Sequence, residues 1–132
     1  MILADSSVWI DYFNGRISEE TDMLDGLLGQ QLVLTGDLIR AEVLQGFRHE
    51  KDYRTALRLF ESIEMRNLGG RDIAVRTAQN YRALRARGIT PRKTIDMIIG
   101  TYCIVHGLPL LHADRDFDLL EIELGLAVVR RT

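Results

Sequence analysis

Carboxylates interrupt this chain where it is otherwise most apolar. Asp5 follows the run M-I-L-A, and Glu42 sits inside L-I-R-A-E-V-L. Asp96 sits inside T-I-D-M-I-I-G, and Asp114 and Asp116 follow L-L-H-A. Burying a carboxylate among Ile, Leu and Val is costly unless something neutralises it. Bringing several together adds mutual repulsion. A divalent cation removes both penalties, so the pattern points to a metal-dependent hydrolase.

The chain between these acids alternates short apolar runs with amphipathic ones. Ile2-Leu3-Ala4 reads as a buried strand ended by Asp5. Ser6 or Ser7 is expected to cap a short helix carrying Val8, Trp9, Ile10 and Phe13, stopped at Asn14-Gly15. Ser18 opens a second helix with acids in its first turn. Residues 31–35 read as a second strand. Helices are expected over 38–47 and 52–64, then a short strand over 65–68 before Gly69-Gly70.

A long helix over 72–87 follows, ended by Gly88. Thr94 is a candidate N-cap for a helix over 95–105 that is apolar nearly all round and therefore central. Residues 108–112 read as a strand, Asp114 as the start of a helix through Leu124, and 126–129 as a last strand. Such alternation argues a three-layer α/β/α fold around a short, mostly parallel central sheet. Residues 1–132 are expected to form one domain. In such sheets the ligand crevice lies beyond the carboxyl ends of the strands, where Asp5 and Asp114 fall.

Composition narrows the chemistry. The 46% hydrophobic content suffices for a core. A single cysteine, Cys103, excludes an internal disulfide and reads as a small buried hydrophobe. No secretory leader pattern is visible, and the apolar stretch Met97 to Val105 falls far short of the ~20 residues of a membrane span. A soluble, cytoplasmic protein is expected. Phosphate-loop, dinucleotide and nucleophile-elbow motifs are absent from the sequence.

The formal net charge of −2 gives no global attraction to nucleic acid. Arg82, Arg85, Arg87, Arg92 and Lys93 nevertheless fall between Tyr81 and Thr94 with no acid among them. They read equally as a solvated helix face and as phosphate contacts.

Each acid also has a bland account. Asp5 and Asp114 can be helix N-caps, and Asp96 and Asp116 first-turn acids. Glu42 can lie on a narrow wet stripe with Arg40 and Gln45. Arg115 can neutralise its neighbours Asp114 and Asp116. Together, however, the acids supply hard oxygen ligands with no cysteine cluster and no His spacing, which suits Mg²⁺ or Mn²⁺ rather than Zn²⁺. His112 is the histidine nearest these acids; His106 reads as a helix C-terminal residue.

The ordered set A-D-S-S-V-W-I-D-Y-F, A-E-V-L-Q-G, T-I-D-M-I-I-G and H-A-D-R-D-F resembles the PIN-domain family. The resemblance is nearest to VapC-like toxins of bacterial toxin–antitoxin pairs and spans nearly the whole chain. It implies a metal-dependent endoribonuclease with Asp5, Glu42, Asp96, Asp114 and Asp116 as its catalytic acids. Asp5, Asp96 and Asp114 would hold Mg²⁺ or Mn²⁺, and Ser6 would support a carboxylate or phosphate oxygen. RNA as substrate, a homodimer and a cognate VapB-like antitoxin are implied as partners. Arg85, Arg87, Arg92 and Lys93 become candidates for the RNA backbone. Many relatives have Thr in place of Ser6, and Thr or Ser in place of His112.

Two alternatives remain at this stage. A catalytically silent PIN-like interaction module would keep the fold without turnover. A receiver-like Mg²⁺-binding signalling domain would need a phospho-acceptor Asp after a middle strand and a Lys after a late one. This chain offers Thr35-Gly36-Asp37 at the first place and no Lys after Leu111.

Overall fold

The computed structural model describes residues 1–130. Its elements run β1 (Ile2–Ala4), α1 (Ser6–Phe13), α2 (Glu19–Gly29), β2 (Val33–Gly36), α3 (Asp37–Leu44) and α4 (Glu50–Glu61). They continue with β3 (Met65–Arg66), α5 (Arg71–Ala86), α6 (Thr94–His106), β4 (Leu110–Leu111) and α7 (Asp116–Leu124). The expected α/β architecture is present: seven helices surround a four-stranded sheet of order β3-β2-β1-β4.

Every pairing in the sheet is parallel. Leu3 of β1 lies between Leu34 of β2 and Leu110 of β4. The two inner strands' runs are apolar, Ile2-Leu3-Ala4 in β1 and Val33-Leu34 in β2, as is Leu110-Leu111 in β4, because a parallel sheet is covered on both faces, whereas β3 at the edge is exposed. Leu3, Ala4, Leu34, Leu110 and Leu111 are all fully buried. The chain moves outward from β1 through β2 to β3, then returns to place β4 on the other side of β1. The crevice between the carboxyl ends of β1 and β4 is therefore the topological switch point.

The helices are set by local chemistry. Ser18 caps α2 in a reciprocal capping box with Thr21. Gly107, in the left-handed conformation, closes α6. Helix α6 is buried along most of its length, as its apolar sequence requires, and Cys103 lies within it. Trp9 is fully buried against Phe13 and Phe60, so these rings belong to the core. No helix among the described residues is long and apolar enough to cross a membrane.

Four local expectations are corrected. Asp5, rather than Ser6 or Ser7, caps α1. Helix α6 starts at Thr94 with Lys93 at the cap position, and Lys93 makes no side-chain capping bond. Helix α7 begins at Asp116, two residues after Asp114. The last strand reduces to one bridge between Leu110 and Val128. Residues 126–129 are apolar enough for a strand, but they meet a partner strand of only two residues.

Arg40 also departs from the wet stripe. Its guanidinium donates to the Phe60 and Ile63 carbonyls at 2.5 and 2.9 Å, satisfying the C-terminal end of α4.

Candidate metal centre

Asp5 emerges from β1 into the switch-point crevice and is 2% exposed. Its backbone N–H donates to the Leu111 carbonyl at 2.9 Å, which pins it beside β4. Its Oδ2 accepts from the Ser7 N–H at 3.0 Å and the Ser7 hydroxyl at 2.6 Å. Burial pushes the Asp5 carboxyl up from its ordinary range, and the Ser7 bonds oppose that rise. The Ser7 hydroxyl also accepts from the Ala113 N–H at 3.0 Å. Ser7 therefore ties the loop after β1 to the loop after β4, a role its sequence position beside a cap did not reveal.

Ser6 works on a different partner. Its hydroxyl donates to Glu42 Oε1 at 2.9 Å, bridging the start of α1 to α3. Glu42 is half-buried on α3 and is held toward the same crevice. Asp37, at the start of α3, was also unassigned from sequence; its Oδ1 accepts from the Leu38 and Leu68 N–H groups.

Asp96 lies in the first turn of α6 and is 8% exposed. Its pKa is raised to about 7, first by burial and then by the Asp5 charge, against the opposing pull of Lys93. One carboxylate oxygen from each of Asp96, Asp114 and Asp116 lies within 4.8 Å of the other two. Asp114 Oδ1 accepts from the Asp116 N–H at 2.9 Å, so the turn before α7 presents both acids together.

Asp5 and Glu42 stand outside that tight trio, but their charges both raise Asp96. All five carboxylates therefore belong to one electrostatic neighbourhood. Asp116 sits closer to Asp96 than the sequence ranking of ligands implied.

The trio accommodates a cation. Asp96 Oδ2 and Asp116 Oδ2 are buried and have no hydrogen-bond partner among the described residues. Buried carboxylate oxygens of this kind cost free energy unless something positive meets them. The donors are all carboxylate oxygens, which fits a hard divalent ion.

The cations nearest the trio come from an unexpected place. Arg115 makes no ion pair with its neighbours. Instead Arg92 Nη2 lies 3.0 Å from Asp116 Oδ1, and Lys93 Nζ 3.6 Å from Asp114 Oδ2. Arg87 is paired with Glu123 at 2.8 Å, and Arg85 lies over the Tyr81 ring. His112 accepts the Asp114 N–H at Nδ1 (3.3 Å) and packs against Phe117. A cleft of about 1140 Å³ lies between α5 and α6 and contains none of the five acids.

A parallel α/β sheet with an oxygen-only acidic cluster at its switch point defines a class of metal-site hydrolase. Comparison with known proteins agrees. The PIN domain family matches residues 2–122. Ribonuclease VapC11 of Mycobacterium tuberculosis and a VapC ribonuclease of Mycobacterium bovis are each 30% identical over 122 residues, 91% of this chain and of theirs.

Among solved structures, VapBC2 from Rickettsia felis, bound to a DNA fragment from its promoter, matches with a TM-score of 0.76. Its identity is 14%, and 100% of each chain is covered. FitAcB from Neisseria gonorrhoeae matches with a TM-score of 0.70 at 21% identity, over 98% of this chain and 97% of that one. At such identities these two speak for the fold alone. The chain belongs to the PIN-domain family, within its VapC group of toxin–antitoxin ribonucleases. The receiver-like alternative is thereby set aside.

Proposed function

We propose that residues 1–132 act as one PIN-like domain that hydrolyses RNA phosphodiester bonds as a metal-dependent endoribonuclease. The observation that carries this reading is the pair of buried, unpaired oxygens of Asp96 and Asp116 in a trio with Asp114. Asp5, Asp96 and Asp114 would hold Mg²⁺ or Mn²⁺, with Asp116 beside them. The ion would supply water of lowered pKa and positive charge against the phosphate.

The chain's own groups prepare that site. Ser7 fixes the Asp5 carboxylate through Oδ2, while Oδ1 receives only a long 3.5 Å approach from the Ser6 hydroxyl. Ser6 orients Glu42 so that a second carboxylate faces the same crevice. Leu3, Leu111 and Met97, neighbours in sequence of these acids or their loops, are buried in the core. Arg85, Arg87, Arg92 and Lys93 remain candidates for the RNA backbone. Arg92 and Lys93 are the better placed of the four.

A small VapB-like antitoxin is the proposed inhibitor, and a homodimer the proposed assembly. The relatives' names and the toxin–antitoxin complexes of like fold support the first.

The test uses partner-free protein and total RNA with Mn²⁺ or Mg²⁺. Discrete cleavage that requires both the ion and Asp96, against EDTA and Asp96→Asn controls, is expected. Cleavage by Asp96→Asn equal to that of the native chain would refute the assignment. A folded, metal-binding chain that cuts no RNA would favour the silent module.

A further inference from the structure

Arg92 and Lys93 stand directly before α6, and their side chains cross to the start of α7 and to the loop between β4 and α7. They meet Asp116 and Asp114, two members of the acidic trio; the third, Asp96, makes no ion pair among the described residues but feels the Lys93 charge. The partners differ in exposure. The Arg92 and Lys93 side chains are 79% and 59% exposed, whereas those of Asp116 and Asp114 are 20% and 26% exposed. The carboxylates are thus fixed, while the cations are tethered by long, mobile stems.

Arg92 also lies between two cavities. One, about 640 Å³, opens past Ser7 and Asp114; the other, about 210 Å³, reaches Asp96, Met97 and Leu120. Both are lined by Arg92 and Asp116. The ion pair therefore stands on the boundary that the two cavities share.

Resting on the metal-site reading above, we propose that Arg92 and Lys93 are exchangeable counter-ions. They neutralise Asp116 and Asp114 in the metal-free chain. A divalent cation displaces them, and the freed side chains then hold the phosphate backbone of the RNA.

The physical logic is charge exchange at a fixed site. A monovalent side chain that is mostly solvated contributes little at each carboxylate, whereas a divalent ion acts on all three acids at once. Displacement costs the cations little because water receives them. Once free, Arg92 gains a fork of donors suited to a phosphate.

Calorimetric titration of Mn²⁺ into the full, metal-stripped chain tests the exchange. Arg92→Ala is expected to bind Mn²⁺ about two- to fivefold more tightly, because a competing cation is gone. The double variant Arg92→Ala/Lys93→Ala binds more tightly still. Arg54→Ala, which removes a cation from the exposed Glu50 pair on α4, leaves the affinity unchanged.

A second readout uses a short single-stranded RNA with Ca²⁺ as the ion. The salt dependence of binding by the double variant becomes shallower, by a slope of roughly 1.4 for two lost phosphate contacts. If the native chain binds Mn²⁺ but the double variant binds it equally or more weakly, counter-ion exchange is wrong and the metal site stands. If the RNA slope is unchanged, the freed cations do not hold the backbone. If the native chain binds no Mn²⁺, both readings fall together.

Discussion

The Ser6 hydroxyl donates to Glu42 Oε1 at 2.9 Å across 36 residues of sequence. This bond ties the start of α1 to α3 and holds the Glu42 carboxylate. Ser6→Ala should leave the fold in place while lowering RNA cleavage about tenfold, the effect of one charge-assisted bond of ~1.5 kcal/mol. Ser6→Thr keeps the hydroxyl and should restore most of the activity. Steady-state cleavage of a defined RNA by the three proteins, with thermal unfolding as a control, checks this.

Asp96 makes the metal-free chain sensitive to pH. Its folded pKa of about 7 lies above the ordinary 3.8. Between those values the folded chain keeps a proton that the unfolded chain has released. Stability contributed by that proton is complete below the lower value and is lost as pH rises to the upper one. Asp96→Asn removes this loss. In EDTA it should be more stable than the native chain above neutrality, by about 1–2 kcal/mol after allowance for screening, and indistinguishable near the lower value. Urea unfolding of both proteins across this range measures the difference. Mn²⁺ should stabilise the native chain and not the variant.

Ser7 has the larger structural part. Its hydroxyl serves both Asp5 Oδ2 and the Ala113 N–H, joining the loops that follow β1 and β4. Ser7→Ala should cost about 1–3 kcal/mol, because a carboxylate that is almost fully buried loses its shortest bond. It should also weaken Mn²⁺ binding through misplacement of Asp5. Denaturant unfolding and Mn²⁺ calorimetry separate the two effects.

Gly36, at the end of β2, accepts no side chain. A Cβ there would run into Cδ1, Cγ and Cδ2 of Leu68, which is fully buried. Leu68 also donates its N–H to Asp37 at 3.0 Å. Gly36→Ala should therefore destabilise the chain by about 1–3 kcal/mol through overpacking. A fall in the urea midpoint with an unchanged slope would bear this out; an unaltered midpoint would show that Leu68 can move aside freely.

Much of this protein is written locally. The apolar triplet Ile2-Leu3-Ala4, the cap at Ser18, the apolar circumference of α6 and the placement of Asp5 and Asp114 after strands all follow from neighbours in the chain. Periodicity and capping act over a few residues, so the sequence carries them directly. An acid inside an apolar helix is equally visible, which is why Asp96 stood out.

Contacts between distant segments were not legible in that way. Arg115 is adjacent to both of its expected partners, yet Arg92 and Lys93 reach them from another loop. Arg40 looks like a surface residue on α3, yet it satisfies carbonyls at the end of α4. Ser7 looks like a cap, yet it bonds across 106 residues to Ala113. Local pattern along the chain sets the alternation of elements, the apolar core and the set of acids. Which acids stand together, which hydroxyl holds which carboxylate and which cations oppose them follow from long-range packing. Those choices depend on the order β3-β2-β1-β4, which brings loops far apart in the chain to one edge.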